Sequence, residues 1–234
     1  MSVPSPLAGK PLAVLLDFDG TLTVRDVAER LLDTFVTEDW RKESEAWRAG
    51  VISFRECLRR EYAHLQDAKQ AEYVRYALET TELRLGAQEF VTFCREKRIP
   101  VEIVSGGLDL YITPLLEKFG MDGIPFVAMR ADGAVDGHLM ADYPVGTPVC
   151  DATGCSKCPR LLDYRRRGFA VAYIGDGNSD QCPARRADIV FARDSLARHC
   201  AGEGIPFRPF ETFGEVLAVL RPYLEQAGRP PARR

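Results

Sequence analysis

Two carboxylates one residue apart, Asp17 and Asp19, follow an unbroken apolar run, Leu12-Ala13-Val14-Leu15-Leu16. Gly20 and Thr21 come next, completing Asp17-Phe18-Asp19-Gly20-Thr21. On an extended chain the i, i+2 spacing turns both side chains to the same side. Such a pair can hold a divalent cation and still leave a carboxylate for chemistry. The plain alternative is a strand that ends in an Asp-Gly turn. Two later stretches bear on the choice. Val101-Glu102-Ile103-Val104 runs into Ser105-Gly106-Gly107, whose hydroxyl and bare N–H groups suit an anion. Val171-Ala172-Tyr173-Ile174 runs into Gly175-Asp176-Gly177-Asn178-Ser179-Asp180. Between them lies Lys157, with Arg160 as the other candidate cation. Gathered at one place, the carboxylates Asp17, Asp19, Asp176 and Asp180 offer hard oxygen ligands that suit Mg²⁺. Lysine and a serine hydroxyl suit a phosphate. The combination implies phosphoryl transfer to an aspartate nucleophile.

The elements must bring these residues together. Apolar runs alternating with helical patterns predict an α/β fold, a mostly parallel sheet with helices on both faces. Ligands then bind beyond the carboxyl ends of the strands. Residues 26–98 read as helical throughout: Val27, Leu31, Leu32 and Phe35 share a face, as do Phe54, Leu58, Tyr62 and Leu65. Ser53 with Glu56 forms a capping-box pattern. This block is too long for an ordinary strand-to-helix connection. It is expected to be a small helical cap, 24–83, on a core made of 10–23 and 84–227. Asp132-Gly133, between two apolar runs, predicts a hairpin turn. A short helix is expected from Arg160, with Lys157 in the loop before it. Further helices are expected over 86–98, 110–119, 195–201 and 213–224, and a strand at Ile189-Val190-Phe191-Ala192. The tail, 228–234, is expected to be disordered.

A chain of 234 residues, 46% hydrophobic and 28% charged, has the composition of an ordinary globular protein with room for one large domain and an insert. The formal net charge of −3 gives no basic excess, so nucleic acid is not an expected partner. No apolar run approaches the roughly 20 residues of a membrane span. Asp17 interrupts the first apolar run before a signal-peptide core can form. The reading is a cytoplasmic protein. Seven cysteines without a secretory signal are expected to be reduced thiols. A monomer or a homodimer is expected.

Asp-x-Asp-Gly-Thr, followed at a distance by Gly-Asp-Gly-x-x-Asp, resembles the haloacid dehalogenase superfamily of phosphatases. The likeness spans 12–224 and includes the helical insert after the first motif. It implies a Rossmann-like core with a small cap, and a Mg²⁺-dependent phosphomonoesterase acting on a small phosphate ester. By that resemblance Asp17 is the nucleophile that becomes an acyl phosphate, and Asp19 is the general acid and then the base. Mg²⁺ would be held by the side chains of Asp17 and Asp176 and the backbone carbonyl of Asp19, with Asp180 in support. Ser105, the Gly106 N–H and Lys157, or Arg160 in its place, would bind the phosphoryl group.

Within the superfamily the chain resembles the phosphoserine phosphatase-like group. The segment 187–213 is similar to the methionine-salvage branch, which acts on 2-hydroxy-3-keto-5-methylthiopentenyl-1-phosphate. The alternatives are a phosphoserine or phosphocholine/phosphoethanolamine phosphatase, or a non-catalytic relative that binds a phosphometabolite. Two departures weigh against phosphoserine. Asp26 stands where that enzyme has an amine-reading Glu, and Glu61 where it has a carboxylate-reading Arg. An acidic residue there repels a substrate carboxylate, and Arg59 or Arg60 would have to compensate. Cys150, Cys155 and Cys158 are spaced C-x4-C-x2-C. They read as thiols beside the site or, with Cys182 or a His as fourth ligand, as a zinc centre.

Overall fold

The computed structural model describes residues 9–150 and 153–227. The segment 228–234, expected to be disordered, lies outside the described residues. Strand β1 (Leu12–Leu16) is buried along its whole length, as its uninterrupted apolar sequence requires. It pairs in parallel with β2 (Val101–Leu108) on one side and β5 (Ala170–Gly175) on the other. Leu16 lies opposite both Ile103 and Ile174. That register brings Asp17, Ser105 and Asp176 out on one edge of the sheet. With β3 at Phe126–Val135, β4 at His138–Asp142, β6 at Ile189–Ala192 and β7 at Arg208–Pro209, the described sheet has seven strands in the order β4-β3-β2-β1-β5-β6-β7. After β1 the chain builds outward through β2 and later returns to the other side with β5. The flank of β1 is thus a topological switch point, where ligands bind in open α/β sheets.

The hairpin differs from the sequence expectation. β3 runs through Phe126–Val135 and β4 through His138–Asp142, antiparallel, and the turn falls on Asp136-Gly137. Both turn residues have positive φ, 51° and 81°, as a tight two-residue hairpin demands. Asp132-Gly133 lies instead at a register shift inside β3, where Gly133 takes φ 109°. Two Asp-Gly pairs stand in this stretch, and the second one makes the turn. The two-residue edge strand β7 had no signal of its own.

Between β1 and the next core helix, α5 (Ala87–Glu96), come four helices: α1 (Val27–Phe35), α2 (Arg41–Arg48), α3 (Phe54–Tyr62) and α4 (Gln70–Thr80). The Ser53 hydroxyl accepts from the Glu56 N–H at 3.1 Å and caps α3. The outgoing and returning linkers pair with each other. Val24 N–H donates to Glu82 at 2.9 Å, and Arg84 N–H to Leu22 at 2.9 Å. The block is also bonded to the β3–β4 hairpin. Leu139 N–H donates to Leu65 at 2.8 Å, Asp67 N–H donates to Gly137 at 3.0 Å, and Arg55 pairs with Asp142 at 2.7 Å.

The remaining helices are α6 (Asp109–Lys118), α7 (Lys157–Arg166), α8 (Gln181–Ala184), α9 (Asp194–Gly202) and α10 (Phe213–Ala227). Two boundaries shift against expectation at the site. β2 continues through Ser105-Gly106-Gly107 to Leu108, so the serine lies within a strand. α7 starts at Lys157, because Pro159 is tolerated in a first turn, so the lysine belongs to a helix and not to a loop.

Candidate active site

A cavity of about 370 Å³ opens at the strand ends, walled on one side by α1 to α3. Asp17, Asp19, Ser105, Gly106, Lys157 and Asp176 line it, together with Asp26 and Glu61 from the helical block. Lys157 is buried, and its Nζ donates to Asp17 Oδ2 (2.6 Å), Asp180 Oδ1 (2.6 Å) and the Ser179 hydroxyl (2.8 Å). Burial alone works against its charge, but Asp17 and Asp180 hold it above the ordinary lysine value. Arg160 is committed elsewhere, in a bidentate pair with buried Glu102 at 2.9 and 2.8 Å. Of the two candidate cations, Lys157 is the one in the cavity.

The aspartates have different surroundings. Asp17 Oδ1 accepts from the Phe18 N–H at 2.7 Å while Oδ2 faces Lys157. Burial, and then the charge of Asp180, push its carboxyl well above the usual range, with Lys157 opposing. Asp19 Oδ1 accepts from the Val27 N–H (3.0 Å) at the start of α1, where the helix end favours negative charge. Its Oδ2 accepts from the Tyr111 hydroxyl (2.8 Å) and lies 3.4 Å from the Ser105 hydroxyl. Burial pushes Asp19 up to about 6 in spite of the Tyr111 hydrogen bond. Ser105 Oγ in turn accepts from the Gly107 N–H at 2.9 Å.

Asp176 accepts from the Thr21 hydroxyl at 2.6 Å and is pushed up to about 7, first by burial and then by Asp180. Asp17, Asp176 and Asp180 each place an oxygen within 4.8 Å of the others, and this is the one such group of possible metal ligands among the described residues. The donor set fits a hard divalent cation: carboxylate oxygens only, with Asp17 and Asp176 raised in proton affinity by burial and then by the charge of Asp180. Asp180 is buried beneath the cavity wall, and both its oxygens are occupied. Oδ1 meets Lys157 and the Tyr173 hydroxyl (2.6 Å), and Oδ2 accepts from the N–H groups of Asp176 (3.0 Å) and Gly177 (2.9 Å). These bonds tie it to the Asp176-Gly177 loop and to the lysine.

In the helical block, Asp26 caps α1 by accepting from the Glu29 N–H at 2.8 Å. Glu61 is buried and accepts from the Ser44 hydroxyl (2.5 Å) and the Cys57 thiol (3.3 Å), and burial raises its carboxyl above the ordinary value. Arg59 and Arg60 are not in the cavity. α3 turns Phe54, Leu58, Glu61 and Tyr62 inward, and the two arginines face Asp142 and Glu56 outside. The arginines that line the cavity are Arg25 and Arg48. Sequence reasoning missed them, and also Tyr111 and Tyr62, whose hydroxyl donates to the Gly106 carbonyl at 2.9 Å. Tyr111 was hidden within an apolar helical face.

The cysteines do not follow their sequence spacing. Cys150 Sγ lies 4.0 Å from Cys182 Sγ, and Cys158 also contacts Cys182, whereas Cys155 lies under Tyr143 at 3.9 Å.

The chain also matches a known family. The family model for haloacid dehalogenase-like hydrolases covers residues 14–185. The chain belongs to the haloacid dehalogenase-like hydrolases and is a phosphatase of that family. It is 34% identical to a 2-hydroxy-3-keto-5-methylthiopentenyl-1-phosphate phosphatase of Geobacillus kaustophilus (strain HTA426), over 91% of this chain and 96% of the relative. A protein of the same name from Lysinibacillus sphaericus (strain C3-41) is 31% identical, over 92% and 96%. Among solved structures, a phospho-aspartyl intermediate analogue of phosphoserine phosphatase shares the fold with a TM-score of 0.66 at 24% identity, covering 90% of this chain and 98% of that one.

Proposed function

We propose that the protein hydrolyses a small phosphate monoester through an aspartyl-phosphate intermediate on Asp17, and that the ester is the methionine-salvage substrate for which its relatives are named. The observation that carries this reading is the division of labour between the two aspartates. Asp17 faces a buried lysine, and Asp19 sits on a separate hydrogen-bond network with its carboxyl near 6.

Lys157, the Ser105 hydroxyl and the Gly106 N–H bind the phosphoryl oxygens and orient phosphorus toward Asp17. The P–O bond to the substrate breaks as the bond to the Asp17 carboxylate forms. Asp19, protonated, gives its proton to the departing alkoxide. The resulting Asp19 carboxylate then takes a proton from water, which attacks phosphorus and frees Asp17 and inorganic phosphate. Mg²⁺, held by Asp17, Asp176 and the Asp19 carbonyl, would offset the charge of the phosphoryl group as an anion approaches it.

The helices α1 to α4 act as a cap over 24–83 that sets specificity. Trp40, Trp47, Leu32, Phe54 and Leu58 give it an apolar wall, which suits a methylthio chain. Glu61, whose carboxylate meets a hydroxyl and a thiol, disfavours a substrate that carries its own carboxylate. We place the enzyme in the cytoplasm, with such a diffusible metabolite.

The test is a panel of phosphate esters with MgCl₂ that includes the 5-methylthiopentenyl phosphate, phosphoserine, phosphocholine and phosphoethanolamine. The methylthio compound is expected to give the highest kcat/KM, and Asp17→Asn to lose about 10⁴-fold or more. No turnover of any ester, or an Asp17→Asn enzyme as active as the parent, overturns the reading.

A further inference from the structure

Arg84 is buried, lies outside the cavity lining, and sends its guanidinium to backbone carbonyls. Nε donates to Thr21 O at 2.7 Å and Nη2 to Gly20 O at 2.6 Å, with Thr23 O (3.1 Å) and Val24 O (3.3 Å) within reach of the same nitrogen. A buried guanidinium carries a large desolvation cost unless its donors are satisfied. An apolar residue would fill this space more cheaply, so the charge calls for a reason of its own.

The reason lies in the turn that Arg84 grips. The segment Phe18–Leu22 leaves helical geometry at Asp19 (φ −70°, ψ 128°) and Gly20 (φ 71°, ψ −14°). Carbonyls in such a turn have no regular ladder and need donors from elsewhere. A guanidinium fork supplies several from one fixed plane, which an ammonium does not. The same turn bears on Asp176 from two sides. The Thr21 hydroxyl donates to Asp176 Oδ1 at 2.6 Å. At Gly20 an added Cβ would come within 2.5 Å of Asp176 Oδ2, so backbone and carboxylate are packed in close contact.

We propose that Arg84 is a positioning residue for the cation-binding carboxylate, fixing the Gly20–Thr21 step through which Asp176 is oriented. The inference rests on the reading that Asp176 holds Mg²⁺. Outer partners of metal ligands typically govern affinity by about 10–100-fold. Arg84 acts one contact further out, through Thr21, and belongs at the lower end of that range.

The test is calorimetric titration of MgCl₂ into the metal-free protein, for wild type, Arg84→Lys, Thr21→Val and the double variant. Melting curves check that each variant folds cooperatively, and Arg84→Met is a second probe if the lysine variant does not fold. Arg84→Lys is expected to bind Mg²⁺ about tenfold more weakly while kcat at saturating Mg²⁺ stays near wild type. The double variant is expected to bind no more weakly than Thr21→Val alone, because both changes cut one path. Unchanged Mg²⁺ affinity in a folded Arg84 variant overturns the inference and leaves the proposed function standing. So does full additivity with Thr21→Val, which would mean that Arg84 does not act through Thr21. A wild-type protein that binds no Mg²⁺ overturns the proposed function itself, and this inference with it.

Discussion

Asp17 and Asp19 are the same residue type two positions apart, and their neighbours give them different surroundings, on which the proposed mechanism rests. Asp17 meets a cation, and Asp19 meets a tyrosine hydroxyl and a helix N-terminus. The general-acid assignment has a measurable consequence. Asp19→Asn is expected to slow esters of alkyl alcohols by about 10²–10⁴-fold, and p-nitrophenyl phosphate far less, since a nitrophenolate leaves without a proton. The Tyr111 hydroxyl stabilises the charged form of Asp19, so Tyr111→Phe raises its carboxyl further above about 6. The acid form then persists to higher pH, and the alkaline fall in kcat/KM for alkyl esters shifts upward, as a pH–rate profile will show. Asp17, Asp19, Ser105, Asp176 and Asp180 were legible because each stands at or near the end of an apolar strand and differs in kind from what precedes it, whereas Lys157 was read as a candidate cation in the loop between two such strands. Tyr111 and Arg84 were not, because a tyrosine in an apolar helix and an arginine in a linker look like packing and surface. Only the three-dimensional contact of segments far apart in the chain assigns them.

At the scale of elements, helical phase was the informative signal and turn chemistry the ambiguous one. Phe54, Leu58 and Tyr62 mark the inward face of α3, and that spacing turns Arg59 and Arg60 outward, away from any substrate carboxylate at Glu61. The hairpin had two equivalent Asp-Gly pairs, and strand pairing chose between them. The joint between α3 and β4 is open to test. Asp142 pairs with Arg55 at 2.7 Å; burial is the largest single influence and raises its carboxyl, but the Arg55 hydrogen bond, the Tyr143 N–H and the charges of Arg55 and Arg59 together hold it below the usual value. A carboxyl depressed on folding contributes stability above its unfolded pKa, which is lost as pH falls through the folded one. Asp142→Asn is therefore expected to cost about 0.2–1 kcal/mol at neutral pH, given how exposed both partners are. The difference in Tm from wild type should disappear in acid.

Across the whole molecule, the carboxylate cluster makes stability depend on pH and on cation. Asp17 is raised well above the ordinary range and Asp176 to about 7. The folded protein thus binds more protons than the unfolded chain between about pH 4 and 7. Without divalent cation, stability is expected to fall as pH rises through that window. MgCl₂ should raise Tm most near pH 7 and flatten the dependence, because a ligand that binds the folded state stabilises it by mass action. Asp176→Asn should remove most of the response. Thermal melts in EDTA and in MgCl₂ across this range measure both effects.

The helical block is joined to the sheet by its two linkers and again, at Leu65, Asp67 and Arg55, by the β3–β4 hairpin. A body attached only at two neighbouring crossings can swing about the line between them, and a third attachment removes that axis. Admission of a phosphate ester and departure of phosphate therefore call for the movement of single side chains or short loops at the rim, with α1 to α4 as a fixed roof. Traffic through the site then has the amplitude and speed of a latch, and shortening a rim side chain such as Arg25 or Arg48 should change turnover more than loosening the hairpin does.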